Sequence, residues 1–299
     1  MCGIAGFAYM KKADECARKS IAKQSVTADY STVDKHTRAL KRMLVKMEKE
    51  GFGRSATGMF IVNRGAAYNT LMEPKIIVNK AAVTATQFVD PIGANSTLFN
   101  KINCSSINYV VGHVRAATHG LASDNRNNHP FVYETVVGVH NGGIDNYKEV
   151  FTKNNLKPYS QCDSEAIFAL LQNKIKTDDE KSIKDAVINT CNELSGWLAC
   201  VAIDSRFPSK LIVFRRSGPL TVLSSLEDRF FVFCSDEKIA RTSLSEAGLI
   251  ESKYVNMKMQ DGEAVIFDTL ENTGWASAEH FKVPEYMKKE TSSSVGVIY

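Results

Sequence analysis

MCGIAGFAYM, residues 1–10, places a cysteine directly behind the initiator methionine and follows it with a small, apolar, strand-like run. Met1 is normally trimmed when the next side chain is small, so Cys2 can become the mature N-terminus. A thiolate attacks acyl carbons well, and an α-amino group with a pKa of roughly 7.7 to 8.0 can accept the thiol proton near neutral pH. Taken alone, such a cysteine is more often part of a buried first strand, so a catalytic hypothesis requires partners elsewhere.

Length and composition exclude several classes of protein. The 299 residues can form one large domain or two modest ones. Charged residues make up 23% and the net charge is only +4, which gives no nucleic-acid footprint. Without an N-terminal targeting segment or an apolar stretch of about 18 residues, we expect a cytoplasmic protein with no membrane partner. The seven cysteines form no CxxC pair, so we expect neither a disulfide framework nor a metal site. We also expect no cofactor.

Hydrophobic periodicity indicates a mixed chain. Apolar residues recur at helical spacing in three segments: 33–51, 163–175 and 181–194. Apolar runs predict strands in several others: 2–9, 57–63, 107–115, 135–141 and most of 197–268. Strands, then helices, then strands predict an α+β protein in which sheets pack on one another and helices cover the outside.

We assign residues 1–268 to one domain and 269–299 to a C-terminal extension or tail. The segment at about 68–106 has weak periodicity and is interpreted as an insertion of short helices and loops. Near the end of the domain, Asp261-Gly262 separates the runs at 253–260 and 263–268, and this dipeptide predicts a hairpin between them.

Three central stretches contain the residue types that amide cleavage requires: GHVRAATHG at 112–120, VHNGGIDNY at 139–147 and CDSEAIF at 162–168. An asparagine amide beside a glycine N–H can donate hydrogen bonds to a developing oxyanion. An arginine can hold a carboxylate with two bonds, and an aspartate can hold an ammonium. Together these types predict a pocket for an α-amino acid.

These motifs follow one another as they do in class II glutamine amidotransferase domains, which the sequence resembles from Met1 to about Asp268. The family belongs to the N-terminal-nucleophile hydrolases and includes the glutaminase domain of glucosamine-phosphate synthase. The resemblance is carried by MCGI, GHVRAATHG, NNHPF, VHNGGIDNY and CDSEAI, and continues through SGWLACVAID, RRSGPLTVL, FVFCSDEKIA and QDGEAVIFD.

The resemblance implies a four-layer α-β-β-α sandwich and hydrolysis of glutamine to glutamate and ammonia by an N-terminal cysteine. Matched by position, it implies these roles: Cys2 as nucleophile and, through its amine, base; Asn141 and Gly142 as oxyanion hole; Arg115 and Asp163 as partners of the substrate carboxylate and ammonium; Thr118 and His119 as pocket lining.

Each position also has a structural interpretation. Arg115 can be a surface ion-pair residue, Asp163 a helix cap, and Asn141-Gly142 a hairpin turn. Taken singly, these interpretations are favoured, but the order of the motifs together with Cys2 reverses that judgement. Three further histidines are interpreted as structural, since no metal-ligand spacing surrounds them: His113, His129 and His140.

The chain departs from the family pattern where an R-G-x-D-S-x-G stretch usually follows the first helix. Here the sequence reads GFGRSATG, so Phe52 takes the arginine's place and Ser55 the aspartate's. No segment after Asp268 is long enough for a synthase domain, so we expect a separate protein to accept the ammonia. Two alternatives stay open: a stand-alone amidase for another amide or γ-glutamyl compound, and a weakly active interaction module of the same fold.

Overall fold

Two antiparallel sheets form the centre of the protein in a computed structural model that describes residues 1–9, 30–63, 75–94, 96–99, 102, 107–269 and 277–284. The strands are β1 (Gly3–Tyr9), β2 (Ala56–Asn63), β3 (Lys75–Ala81), β4 (Ile107–Arg115), β5 (Phe131–Tyr133), β6 (Val136–Ile144), β7 (Gly196–Asp204), β8 (Lys210–Arg216), β9 (Thr221–Ser225), β10 (Phe230–Cys234), β11 (Val255–Asn256), β12 (Glu263–Asp268) and β13 (Ser277–Lys282). The first sheet has the order β11-β9-β10-β1-β4-β2-β3, and the second has the order β13-β12-β8-β7-β6-β5.

Helices cover the outer face of each sheet. They are α1 (Tyr30–Lys49), α2 (Ala85–Phe88), α3 (Ser96–Phe99), α4 (Tyr147–Lys153), α5 (Glu165–Lys174), α6 (Glu180–Glu193) and α7 (Glu237–Glu246). One buried cluster joins α1, α2, α3 and α7 to the first sheet, and another joins α4, α5 and α6 to the second. A third cluster fills the space between the sheets. The resulting α-β-β-α sandwich confirms the predicted fold class.

The central strands are apolar on both faces because one face meets helices and the other meets the second sheet. Every residue of β1 is buried, and so is every residue of β4. In α1 the predicted apolar positions Leu40, Met43 and Met47 are buried against this sheet. Gly51, at φ 91°, follows the helix, where a left-handed residue ends the helical hydrogen bonding.

The register between the inner strands sets where the site lies. Strand β1 pairs antiparallel with β4, with Gly3 opposite Val114, and with β10, with Ala5 opposite Cys234. Cys2 therefore lies beside the end of β4. None of the helices in the described ranges combines the length and apolarity that crossing a bilayer requires.

The structure corrects one local prediction. The runs at 253–260 and 263–268 do not form a hairpin, because β11 pairs with β9 in the first sheet and β12 pairs with β8 and β13 in the second. The chain changes sheets between them, and the Asp261 carboxylate accepts hydrogen bonds from the backbone N–H and the hydroxyl of Ser217. Gly262, at φ 65°, makes the turn into β12.

Two other segments contain more structure than the sequence indicated. The segment interpreted as an insertion has the expected short helices, and it also supplies β3, which extends the first sheet beyond β2. In the segment assigned to the C-terminal tail, β13 pairs with β12 at the edge of the second sheet. Residues 285–299, with the run EYMKKETSSS, lie outside the described residues.

Candidate active site

Cys2 lies half-buried against the turn that follows β4. Its Sγ is 3.4 Å from the backbone nitrogen of Ala116 and 3.6 Å from the carbonyl oxygen of the same residue. Burial raises the pKa of the Cys2 thiol, while the Ala116 backbone, the N-terminal amine and Arg115 act in the opposite direction. The negative charge of Asp163 adds to the rise. Burial therefore favours the thiol over the thiolate at this position.

The GFGRSATG loop, residues 51–58, contacts the same turn after β4. Ser55 donates its backbone N–H to the Arg115 carbonyl at 2.9 Å, and its hydroxyl oxygen accepts the N–H of Ala117 at 3.2 Å. At Gly53 an added Cβ would lie 2.4 Å from the Arg115 carbonyl carbon, so a larger residue does not fit. Phe52, in the place of the family arginine, packs against the core beneath the helices. Two hydrogen bonds of Ser55, a neutral residue, thus connect this loop to the turn after β4.

Arg115 is the last residue of β4 and is only 2% exposed, so it is not a surface ion-pair residue. One guanidinium nitrogen, Nη1, donates to Asn128 Oδ1 at 2.9 Å. The other, Nη2, donates to the carbonyls of His119 and of Gly120, the latter at 3.1 Å. Three contacts leave part of its five-donor capacity for a ligand. These hydrogen bonds tie the turn at 118–120 to the Arg115 guanidinium.

Asn127 and Asn128 belong to the NNHPF motif, which carried the family resemblance but received no role from the sequence. Asn128 binds Arg115 through Oδ1 and donates through Nδ2 to the Ala122 carbonyl at 2.7 Å. Asn127 Oδ1 accepts the N–H of Gln161 at 2.8 Å. The motif therefore connects Arg115 to the loop that precedes α5. A short asparagine pair after an arginine-containing turn is the signal that could have indicated this.

Asn141 and Gly142 lie within β6 rather than in a hairpin turn. The Asn141 amide donates to Ser235 Oγ at 3.3 Å, and the same hydroxyl oxygen accepts the N–H of Ile4 at 2.9 Å. Gly142 has φ 159°, and an added Cβ would lie 2.1 Å from the Trp197 carbonyl oxygen. Only glycine fits there, so its N–H is held in a conformation that other residues rarely adopt.

Asp163 is 3% exposed and does not cap α5, since Ser164 is the N-cap residue and makes no side-chain cap. Its Oδ2 accepts the N–H of Ile144 at 2.7 Å. Its Oδ1 lies 3.7 Å from Nδ1 of His119, whose ring meets that of Tyr147 edge-on at 5.6 Å between centroids. The carboxylate therefore joins the end of β6 to the turn after β4.

A cleft of about 670 Å³ opens beside His119. Its lining comes from the turn after β4, from α4 and from the loop before α5: Thr118, His119, Gly120, Tyr147, Lys148, Phe151, Thr152, Leu156, Pro158, Ser160 and Gln161. Thr118 and His119 are both exposed to it. Thr118 and His119, which the resemblance implies as pocket lining, thus face this cleft, whereas Cys2, Arg115, Asn141 and Asp163 do not line it.

These contacts close into a ring that contains every expected site residue except Thr118. Starting at Cys2, it passes through Ala116 to Arg115, from the Arg115 guanidinium to the His119 carbonyl, and from His119 to Asp163. It continues through the Ile144 N–H along β6 to Asn141, then through Ser235 to Ile4 and back along β1. Ser235 and Ala116 are members of this ring, and Ser55 hydrogen-bonds to the turn that contains Ala116. The sequence motifs assigned no role to any of the three.

The three histidines interpreted as structural meet in the buried floor of the site. The rings of His113 and His129 lie 3.9 Å apart between centroids, and His113 Nε2 lies 2.9 Å from the His140 carbonyl oxygen. Burial lowers the pKa of His113 to about 3 and that of His140 to about 4. Neutral rings thus fill the space behind Arg115 and Asn141. In the described part of the chain, no group of three His, Cys, Asp or Glu side chains could hold a metal ion.

Comparison with known proteins finds a family model that matches the central part of the chain. Residues 79–203 match the family model of the class II glutamine amidotransferases. Over this range, which is less than half of the chain, the sequence is similar to class II glutamine amidotransferases. The resemblance drawn from the motifs is confirmed. The matched range includes every expected site residue except Cys2, which lies before it.

Relatives of this domain are found among larger enzymes. The glutamine–fructose-6-phosphate aminotransferase of Haemophilus influenzae is 29% identical over 197 residues, and that of Shigella flexneri is 27% identical over the same length; each match covers 60% of this chain and 31% of the relative. The structure of glutamine phosphoribosylpyrophosphate amidotransferase from Bacillus subtilis matches with a TM-score of 0.58 at 16% identity, covering 95% of this chain and 50% of that one. This chain thus spans a third to a half of the proteins it matches.

Proposed function

We propose that this chain hydrolyses the side-chain amide of glutamine, with Cys2 as the nucleophile once Met1 has been removed. The observation that supports this is the closed ring of contacts, which brings a thiol, two oxyanion donors and two oppositely charged side chains to one place. Met1 is 61% exposed, so an aminopeptidase can reach it. Its removal would leave the α-amine on Cys2 itself, next to the thiol.

The reaction would begin when the Cys2 amine takes the thiol proton and the sulfur attacks the amide carbon. The carbonyl electrons move onto oxygen, and the Asn141 amide and the Gly142 N–H donate to that oxyanion. When the intermediate collapses, the C–N bond breaks and the Cys2 ammonium protonates the leaving nitrogen, which departs as ammonia. Water then attacks the thioester, gives one proton to the amine, and releases glutamate and the free thiol.

Arg115 and Asp163 would bind the amino-acid end of the substrate. Asp163 Oδ2 accepts the Ile144 N–H, while Oδ1 lies 3.7 Å from His119 Nδ1 and accepts a weak hydrogen bond from the Cys162 thiol at 3.5 Å. A substrate ammonium would bind at Oδ1, beside that thiol or in its place. The Arg115 guanidinium is engaged by the turn at 118–120. A substrate carboxylate would use its remaining donors or replace those carbonyls, and replacement needs that turn to move.

We further propose that a separate protein uses the ammonia. The names of the matched relatives couple glutamine to an acceptor, fructose 6-phosphate in one case and phosphoribosylpyrophosphate in the other. Unregulated hydrolysis would waste glutamine, and a turn held over Arg115 is a suitable place for control. A partner that binds the open turn more tightly than the closed one would accelerate hydrolysis.

The test is to measure ammonia and glutamate from purified protein given L-glutamine, L-asparagine or a γ-glutamyl amide, with Cys2→Ser as the matched control. We expect equal amounts of ammonia and glutamate from glutamine alone, none with Cys2→Ser, and a faster rate with a protein that co-purifies from the native source. Preference for the γ-glutamyl amide would favour the stand-alone amidase. Absence of hydrolysis of all three, with and without co-purified protein, would leave the interaction module.

A further inference from the structure

Lys80 reaches from β3 into the segment that holds Arg115. Its Nζ donates to the Asn128 carbonyl at 2.7 Å and to the Pro130 carbonyl at 3.0 Å. The ammonium also lies 5.4 Å from the centre of the Phe131 ring. Two carbonyls, two residues apart, are thus joined by one cation, and the segment between them is fixed against the first sheet.

The close approach of this segment to the sheet depends on Gly58 of β2. A Cβ at Gly58 would lie 2.2 Å from the His129 carbonyl oxygen and 2.7 Å from the Cβ of Lys80. Only a glycine lets the segment come within reach of the lysine. The same segment presents Asn128, whose Oδ1 accepts from Arg115 Nη1 at 2.9 Å. Both contacts are therefore made to Asn128: Lys80 binds its backbone carbonyl, and Arg115 binds its side-chain oxygen.

We propose that Lys80 is a positioning residue for Arg115: its ammonium fixes the backbone of Asn128, and Asn128 fixes the guanidinium that binds the substrate carboxylate. This inference rests on the proposed glutamine hydrolysis. Lys80 itself does not touch the substrate in this arrangement. Its removal is therefore expected to change KM for glutamine far more than kcat, because chemistry at Cys2 depends on other parts of the ring.

The charge on Lys80 gives the proposal a pH dependence. Burial lowers the pKa of the Lys80 ammonium to about 8. Cys162, Asp124 and Glu165 oppose this lowering, and the positive charge of Arg115 adds to it. Below pH 8 the ammonium makes charge-assisted hydrogen bonds to the two carbonyls, and above pH 8 a neutral amine makes weaker ones. KM for glutamine should therefore rise as the pH increases through about 8.

The experiment compares Lys80→Met, Lys80→Arg and the wild type, with Lys157→Met as a matched control on an exposed lysine. For Lys80→Met we expect KM at pH 7 to rise about tenfold, the low end for losing a charged hydrogen bond, with kcat changed less than about twofold. Lys80→Arg should keep KM low and make its rise between pH 7 and 9 smaller than in the wild type, because arginine stays charged and only the α-ammonium of glutamine still titrates. Lys157→Met should behave as the wild type.

The outcomes separate this inference from the proposed function. If the wild type hydrolyses glutamine and Lys80→Met has an unchanged KM, or if Lys80→Arg shows the full wild-type rise of KM with pH, Lys80 does not position Arg115. If the wild type does not hydrolyse glutamine, the proposed function fails, and the Arg115 Nε–H resonance in NMR spectra decides the inference. A resonance shifted in Lys80→Met and restored in Lys80→Arg supports it, and an unshifted one overturns it.

Discussion

Asn141→Ala should separate catalysis from stability more cleanly than any other single substitution in the ring. The amide of Asn141 is fully buried and has two ends with different surroundings. Its nitrogen donates to Ser235 Oγ at 3.3 Å, whereas its oxygen has no hydrogen-bond partner among the described residues. Truncation therefore removes one long hydrogen bond and one unpaired acceptor, together with a donor to the oxyanion.

The expected magnitudes follow from these contacts. Loss of one hydrogen bond costs about 0.5–1.5 kcal/mol of unfolding free energy, and loss of an unpaired buried acceptor offsets part of that. The melting temperature should therefore fall by no more than about 4 °C. Loss of an oxyanion donor raises the barrier by about 2.7–4 kcal/mol, so kcat should fall roughly 100- to 1,000-fold. KM should change little, because the oxyanion exists only after attack.

Ser235→Ala is the matched control, because it removes the other half of the same hydrogen bond. Its hydroxyl also accepts the N–H of buried Ile4 at 2.9 Å, so we expect a loss of about 1–3 kcal/mol in stability and a smaller change in kcat than for Asn141→Ala. Thermal unfolding and steady-state ammonia release measured on both variants give the comparison. A fall in kcat below about tenfold for Asn141→Ala, or equal falls for the two variants, would refute the oxyanion assignment.

Three further outcomes are expected. Intact mass should show Met1 absent, and Cys2→Ser should fold normally and lose most turnover; a fully active protein that keeps Met1 contradicts the mechanism. Asp163→Asn, which keeps the acceptor for the neighbouring backbone, should raise KM for glutamine and abolish the wild type's preference for glutamine over glutaramate, which lacks the α-amine; a retained preference rules out Asp163 as the ammonium partner. Burial lowers the pKa of His113 to about 3 and that of His140 to about 4, so below pH 6.5 the unfolded chain binds more protons than the folded one. The free energy of unfolding should therefore fall between about pH 6.5 and 4, by up to about 1.4 kcal/mol per pH unit for each histidine. Denaturant titrations should show a shallower fall for His113→Gln than for the wild type.

Elements with a strong hydrophobic pattern were predictable from the sequence. The strand after Cys2, the helix over 33–51 and the strands that end at Arg115 and near Asn141 all lie where periodicity put them, because each buries an apolar face that the pattern records. The hairpin at Asp261-Gly262 was wrong for a physical reason. Local turn chemistry is present there, but the pairing of the flanking strands was decided by their neighbours in two different sheets.

The residue types of the site could be predicted from the sequence, whereas the hydrogen bonds between its residues could not. Arg115, Asn141 and Asp163 could be chosen because amide hydrolysis needs their functional groups. Their hydrogen-bond partners could not, since these come from distant parts of the chain: Ser235 lies 94 positions after Asn141 and 231 after Ile4. Such contacts depend on which strands are neighbours in the sheet, and no local pattern encodes that.

The altered GFGRSATG loop has a consequence for the nucleophile. An added Cβ at Gly3 would lie 3.2 Å from the Cβ of Phe52, so the phenyl group stands next to the residue that follows Cys2. Where the family pattern has a guanidinium, this chain has an apolar ring, and Ser55 contributes a neutral acceptor instead of a carboxylate. Of the nearby positive charges, the α-amine of Met1 and the Arg115 guanidinium are the ones that oppose the rise in the thiol pKa. Because burial outweighs them, the thiol stays protonated until a base accepts its proton, and the proposed mechanism gives that task to the Cys2 α-amine that removal of Met1 would expose.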